Sequence, residues 1–482
     1  MTGERAGDYS CPRERAAPPE EPMQIVTSAY LEGNWGPVHD ELDVPNLQVI
    51  GEIPRDLRGT FVRNGPNAQF APIGRYHFFD GDGMIHAVRI EDGRASYRNR
   101  WVRTKGFQFE REAGRALWTG FAEPPNVAEP PHGMIYKNVA NTAFALHGSQ
   151  LYATWEGGPP HEIRLPALET VRMVDFDGRL DHPFTAHPKV DEVTGEMVFF
   201  GYTLWLPYIK YGVVGPDRRL DHYVQIPLDV PVMMHDFAIT EHYSILLDLP
   251  YTFRMERMAR GEVPLAFEKD RPSRFGILPR RGDASQVRWF ELPACFIYHV
   301  WNAYEEGSRV VLLASRLAHT DVMGHSPEQA KRDYDGGRAW RFTFDLETGE
   351  AKEEQLDDAQ ADFTRIDDRL AGRKNRFGTA ARFVPGADLP WIDGVVQYDF
   401  EKGRSDTHVF GKNRFGGEMV FAPREGATRE DDGYVVGFVH DEGTGESEMI
   451  VLDAREIGRG PLARVRMPRR VPYGFHAAWV SA

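Results

Sequence analysis

Four histidines in this chain share a setting that suits metal binding. His187 lies in FTAHPK, His235 in VMMHDF, His299 in FIYHVWN and His476 in YGFHAAW. Apolar or aromatic residues flank each imidazole, at what reads as the start or end of a strand. Imidazole suits Zn, Cu, Fe and Ni. Four neutral nitrogens, however, give a divalent ion no charge compensation, and zinc sites usually close at four ligands or recruit Cys. An iron site with positions left open for O2 fits better, provided nearby carboxylates orient the rings and balance charge. Any one of the four, taken alone, reads as a core histidine with a single hydrogen bond; four in like settings favour the metal. The remaining histidines look different. His39, His161, His222, His319, His325, His408 and His440 stand beside charges or turns and read as surface. His77 and His86 flank the turn Asp80-Gly81-Asp82-Gly83 and should pack within one hairpin.

The spacings between the four are 48, 64 and 177 residues, so no local motif holds them together. The fold must do it. Turn signals such as Asp92-Gly93, Asp177-Gly178, Thr194-Gly195 and Thr444-Gly445 separate short runs rich in Val, Ile, Phe and Tyr, among them MIHAVRI, EMVFFGY, RVVLLAS, WRFTFDL and GYVVGFVH. These are hairpin patterns with strands of about five to eight residues. Helices are few; one short capped helix is expected from Ser326, with Pro327 at its first position. A long series of hairpins without helices predicts a propeller or a sandwich. In a propeller the inner strand of each blade faces the axis, so one ligand per blade converges there whatever the spacing. Spacings of 48 and 64 suit single blade steps, and 177 suits about three. The Pro-rich stretches 118–132 and 251–281 should be loops over one face, where function tends to sit.

Composition narrows the partners. The 482 residues are 41% hydrophobic, enough for a large core, and carry a net charge of −15. A surplus of acid argues against nucleic acid, whose phosphates need a basic surface, and against broad adhesion to anionic lipid. No run of about 18 apolar residues predicts a membrane-crossing helix. Residues 1–22 mix charges with prolines and lack the apolar stretch of a signal peptide; they read as a flexible leader before one domain at 23–482. Cys11 and Cys295 are poor disulfide partners, which fits a reducing cytoplasm. The apolar segment 202–214 reads either as a patch that touches a membrane surface transiently or as a buried strand with a Pro break. No Gly-x-Ser-x-Gly elbow supports a hydrolase.

At this level of detail the sequence resembles the carotenoid cleavage oxygenase family, whose relatives include apocarotenoid oxygenases, stilbene-cleaving dioxygenases and the retinoid isomerohydrolase. The resemblance runs from about Tyr30 to Val480. It is carried by GTFVRNGP from Gly59, FDGDGM from Phe79, Asn141-Thr142, WEGG from Trp155, the four histidine contexts, and GEMVFAPR from Gly417. It implies an all-β, seven-bladed propeller capped by a dome of loops and short helices. It implies Fe(II) on the axis, held by His187, His235, His299 and His476. Three Glu that accept ring N–H groups are also implied. Glu156 and Glu418 match two of them; the third place holds Asp362, one methylene shorter, so either the backbone moves closer or a water bridges it to His299 or His476. Thr142 matches a residue whose methyl crowds one iron position.

The implied reaction adds O2 across an alkene and leaves two carbonyl fragments. A polyene offers almost nothing to hydrogen-bond, so shape and aromatic surface must orient it. Trp155, Tyr298, Phe107 and Phe475 are the candidates, each also readable as a core aromatic. Stilbene-cleaving members carry a Lys directly before the first carboxylate and a Tyr upstream, where this chain has Trp155 and, as aligned, Phe107. That favours an apocarotenoid or carotenoid over a hydroxystilbene. A metal-dependent isomerase working without O2, and a non-catalytic binding propeller, are the further alternatives.

Overall fold

The computed structural model describes residues 28–482 apart from 121, 122, 124, 259, 261–263 and 321–335. The leader, Cys11 and the helix expected from Ser326 lie outside the described residues.

Alternation builds the outer strands. Arg94–Trp101 buries Ala95, Tyr97, Asn99 and Trp101 and turns the residues between them outward, the period of two that a half-buried strand requires. Central strands such as Glu196–Tyr202 and Gly433–Asp441 are buried almost throughout, because both of their faces meet a neighbouring sheet. Among the described residues seven antiparallel sheets result, five of four strands and two of six, besides one two-stranded ribbon. They form a seven-bladed β-propeller, as the resemblance implies. Blade 1 has Ala477–Ser481 innermost, paired with Gly59–Arg63. Blades 2 to 6 begin with Ala143–His147, Lys189–Asp191, Ala238–Ile239, Phe296–Glu306 and Ala361–Arg365. Blade 7 begins with Arg414–Gly416 and Val420–Pro423 and ends with an N-terminal strand, Val49–Gly51, paired with Ala463–Arg466. The two ends of the chain thus close the ring at two adjacent blades.

Between blades the core is aromatic and aliphatic. Phe275 of blade 4 meets Phe342 and Phe344 of blade 5 at 5.2 and 5.1 Å between ring centroids. Phe61 of blade 1 meets Phe438 of blade 7 at 5.0 Å. Each such ring, fully buried, stabilises the interface by roughly 1.5–3 kcal/mol.

Several expectations need adjustment. A helix at Lys105–Ala113 has a Thr104 cap, whose Oγ1 accepts from Phe107 N at 3.1 Å, and ends at Gly114 with φ of 68°. Lys137 fastens it to blade 1, with Nζ 2.5 Å from Glu110 and 2.6 Å from Asp82. The stretch 251–281 is only partly loop: Tyr251–Phe253 and Leu265–Phe267 form a ribbon, and Ser273–Pro279 is a strand of blade 4. His161 and His440 are buried, at 3% and 4% exposure, not at the surface. Strand alternation decides that for His161, and a strand buried on both faces for His440, not the charges beside them. In the segment 202–214, Ile209–Val214 is a largely buried strand, and only the hairpin tip shows apolar surface, Trp205 at 56% and Leu206 at 76%.

Candidate metal centre

Each inner strand brings one side chain to the axis. His476 stands just before the inner strand of blade 1, His187 and His235 just before those of blades 3 and 4, and His299 within that of blade 5. The spacings of 48 and 64 are therefore single blade steps, and 177 passes over two blades. One ring nitrogen from each of the four lies within 4.8 Å of all the others. Nε2 of His187 is 3.1 Å from Nε2 of His235, and Nε2 of His299 is 3.1 Å from Nε2 of His476. Nitrogens bonded to one ion at about 2.1 Å and at right angles stand about 3.0 Å apart. The donor set therefore fits a single metal ion.

The blades without a histidine supply the carboxylates. Nδ1 of His235 donates to Glu156 Oε2 at 2.8 Å, from blade 2. Nδ1 of His299 donates to Asp362 Oδ1 at 2.8 Å, from blade 6, and Nδ1 of His476 to Glu418 Oε1 at 2.9 Å, from blade 7. With Nδ1 so committed, Nε2 keeps its lone pair for the axis. Asp362 reaches His299 directly, so the backbone makes up for the missing methylene. The means is visible: the pairing with Phe377–Phe383 shifts register between Asp362 and Arg365, and Phe363 takes φ of 54°. A bulge with one left-handed residue bends the strand and re-aims the side chains beside it. A Phe rarely tolerates such a backbone, and strain of this kind persists where surrounding structure enforces it. His187 differs from the other three: no carboxylate meets it among the described residues, and its backbone N–H donates to Thr185 Oγ1 at 3.0 Å.

Charge divides the rings differently. Burial, reinforced by the neighbouring histidines and by Lys189, holds His187 well below the ordinary imidazole range. His476 is held down likewise by burial and by His299 and His235. Burial also acts against protonation of His235, but the attraction of Glu156 outweighs it and draws positive charge onto that ring. Burial pushes Glu418 up to about 7, against the pull of Arg365 at 4.0 Å. His187 and His476, held neutral in this way, are ready as ligands, since a divalent cation needs an imidazole without its proton.

Thr142 precedes the inner strand of blade 2. Its carbonyl accepts from His476 N at 3.1 Å and its hydroxyl donates to Asn141 Oδ1 at 2.9 Å, so only its methyl is without a hydrogen bond. The glycines of the WEGG segment have a steric reason: a Cβ at Gly157 would fall 2.3 Å from the Trp155 indole. Tyr298 lies beside the ligands, 5.6 Å from the His235 ring, with its hydroxyl 2.8 Å from Thr320 Oγ1. Phe475 packs against Phe78 and Phe79 in an aromatic cluster that also takes in Phe363. Phe107 has no exposed surface and packs with Val38, Met84 and Trp101. The structure thus brings Trp155 and Tyr298 to the neighbourhood of Glu156 and His235, and sets Phe107 and Phe475 in other clusters.

Two residues were not foreseen. Tyr202 donates its hydroxyl to Glu156 Oε1 at 2.9 Å and so fixes the carboxylate that fixes His235. Phe363 lies 5.0 and 4.9 Å from the His299 and His476 rings. Nothing in the sequence around Phe363 signals its left-handed backbone. Tyr202, at the end of a strand buried almost throughout, looks like any interior aromatic.

Comparison with known proteins agrees with this geometry. Residues 35–481 match the family model described as retinal pigment epithelial membrane protein. The chain is 40% identical to carotenoid 9,10(9',10')-cleavage dioxygenase 1 of Pisum sativum, over 94% of this chain and 90% of the relative. It is 32% identical to a carotenoid cleavage oxygenase of Mycobacterium tuberculosis, over 93% and 97% respectively. Among solved structures it is similar to the lignostilbene dioxygenase of Pseudomonas brassicacearum, with TM-score 0.87, 30% identity, and coverage of 96% and 100%. A variant of the Synechocystis apocarotenoid oxygenase superposes with TM-score 0.82 at 26% identity, covering 92% and 97%.

Proposed function

The chain belongs to the family of the retinal pigment epithelial membrane protein and the carotenoid cleavage dioxygenases, and we propose that it cleaves a carbon–carbon double bond of an apocarotenoid or carotenoid with O2, using Fe(II) held by His187, His235, His299 and His476. Each alkene carbon takes one oxygen atom, so two carbonyl products leave. The observation that carries this reading is the convergence of four ring nitrogens within 4.8 Å, three of the rings being held from behind by Glu156, Asp362 and Glu418. Fe(II), when bound, supplies the one-electron chemistry that lets O2 react with a closed-shell alkene.

The chain's own residues set the conditions. Glu156, Asp362 and Glu418 take the Nδ1–H of three imidazoles and hold the tautomer that offers Nε2 to the metal. Tyr202 keeps Glu156 in place. The Thr142 methyl, beside His476, narrows one approach to the axis. Trp155 and Tyr298 give a polyene flat apolar surface to lie against, since it has no polar group to be gripped by. Phe107 and Phe475 would act from a layer behind, through the aromatics they pack on.

Trp155 favours the carotenoid class. Stilbene cleavage remains the second reading, because the lignostilbene dioxygenase superposes so closely. Overall shape does not separate the two; the residue ahead of Glu156 does, since an indole offers no charge to a phenol. The test is aerobic turnover of a β-apocarotenal and of a hydroxystilbene by the Fe(II)-loaded protein, with an anaerobic control. Two shorter carbonyl products from the apocarotenal, only with O2, are expected. Cleavage of the stilbene alone would overturn the substrate class, and isomerised product without O2 would overturn the reaction.

We also read 23–482 as a single domain, supported by the closure of one ring from both chain ends. No helix among the described residues is long and apolar enough to cross a membrane. The exposed pair Trp205 and Leu206 supports a transient contact of the 202–214 hairpin with a membrane surface. Flotation with neutral liposomes should drop when both are replaced by Ser. The buried free thiol of Cys295 suits a reducing cytoplasm.

A further inference from the structure

The metal centre gives no role to Arg63, in the GTFVRNGP segment. This side chain is buried, at 6% exposure. No ion pair or hydrogen bond reaches its guanidinium from the described residues, and its Nε has no partner. The ring of Phe438, 5.8 Å away, is its one close cushion. Burial draws Arg63 down to about 10, so it still carries its charge at neutral pH. A buried cation without a counter-charge is among the most expensive groups a protein can enclose.

The space around it is built, not accidental. Arg63, Gly416, Gly417, Glu418, His440 and Gly474 line a cavity of about 20 Å³. A Cβ at Gly474 would fall 1.9 Å from Arg63 Nη1, and one at Gly65 3.3 Å from it. Glycine on both sides is what lets the guanidinium reach the cavity. The oxygens of Glu418 are already engaged, by His476 Nδ1 at 2.9 Å and Ala477 N at 2.6 Å. About 10–15 Å³ of such space holds one water, so the cavity has room for a single atom-sized guest.

We infer that this cavity is a halide site, in which one chloride-sized anion neutralises Arg63 between blades 1 and 7. The site stands apart from the reaction proposed above and would exist whatever the substrate. Crystals of the metal-loaded protein soaked in bromide and measured at the bromine absorption edge should show an anomalous peak in the cavity, within hydrogen-bond reach of Arg63. Replacing gluconate, too large to enter, by chloride at equal ionic strength should raise Tm by about 1–2 °C once chloride is well above its dissociation constant. Arg63→Met should lose that rise. Should this variant not fold, diffraction from the unaltered protein decides alone. Bromide found only at exposed arginines, with Tm equal in both salts, would mean that the cavity holds water and would overturn the inference.

Discussion

His86, His147, His161 and His440 are more deeply buried, at 1–4% exposure, than the axial His299 and His476, at 6% and 5%. Yet among the described residues only the axial four come together as a possible metal-holding group. Burial does not mark a ligand; the chemistry at the two ring nitrogens does. In the outer set each bonded nitrogen meets a neutral group: His86 the Tyr97 hydroxyl at 2.7 Å, His147 the Gly195 carbonyl at 2.8 Å, His440 the Ser447 hydroxyl at 2.8 Å. His161 has an Nδ1 with no partner at all. In the axial set Nδ1 meets a carboxylate in three cases, and Nε2 faces another Nε2 instead of a hydrogen-bond partner suited to it. Carboxylate behind and imidazole in front make a basic nitrogen with nothing but a cation to satisfy it.

The bluntest way to break this contrast is to remove one ring from each set. His235→Ala should lose bound metal and turnover together, while His440→Ala should keep about one metal per chain. Metal analysis of both purified variants checks it. Full metal content and activity in His235→Ala would remove the basis of the site.

Acid should separate the sets in the opposite sense. Burial draws His161 down to about 4 from the usual 6.5. Below 6.5 the unfolded chain takes up a proton that the folded one refuses. Stability is therefore full above pH 6.5, falls as pH drops through that window, and has lost its whole contribution below about 4. At 1.36 kcal/mol per pH unit the contribution is about 3 kcal/mol. His161→Gln should flatten the slope of unfolding free energy between pH 6.5 and 4, measured by urea titration. An unchanged slope would mean that another group carries it.

The carboxylates set the next scale. Glu418→Gln should keep the fold and weaken metal retention about 10- to 100-fold. Asp362→Glu sharpens the point. It restores the residue that the family resemblance implies, yet Asp362 is 3% exposed and already 2.8 Å from His299. The extra methylene has no room, and overpacking of this kind costs about 1–3 kcal/mol. Competition with a chelator should show weaker retention in both variants. Tighter retention in Asp362→Glu would mean that the bulge is not holding the shorter side chain in place.

Much of this was legible in the residues. Regular turns and five-residue apolar runs announce blades, and four apolar histidine contexts announce ligands whose spacings count blade steps. Glu156 and Glu418 followed from the resemblance. What stayed hidden depends on backbone detail or on exact facing. The bulge at Asp362 needs Phe363 in a left-handed conformation that no sequence rule assigns to Phe. His161 and His440 were misplaced because flanking charge was weighed above their place in buried strands. Phe107 had the right type for a tunnel wall, but its helix turns it into a small cluster with Trp101.

Tyr202 sits where the two kinds of histidine environment meet. It is a neutral hydroxyl, like the partners of the outer histidines, but it acts on a carboxylate of the axial set. Its bond to Glu156 is 2.9 Å long, and the phenol is pushed well above its usual range by burial and by that carboxylate, so it stays protonated and can only donate to it. Tyr202→Phe removes the hydrogen bond from Tyr202 to Glu156 and leaves the one from His235 intact. A net loss of about 1 kcal/mol, or about fivefold, is expected in metal retention or kcat/KM, well short of the ligand variants. A loss as large as that of Glu418→Gln would make Tyr202 a full part of the metal's support. No loss would mean that Glu156 is held by its loop alone, through the Trp155 ring folded over Gly157.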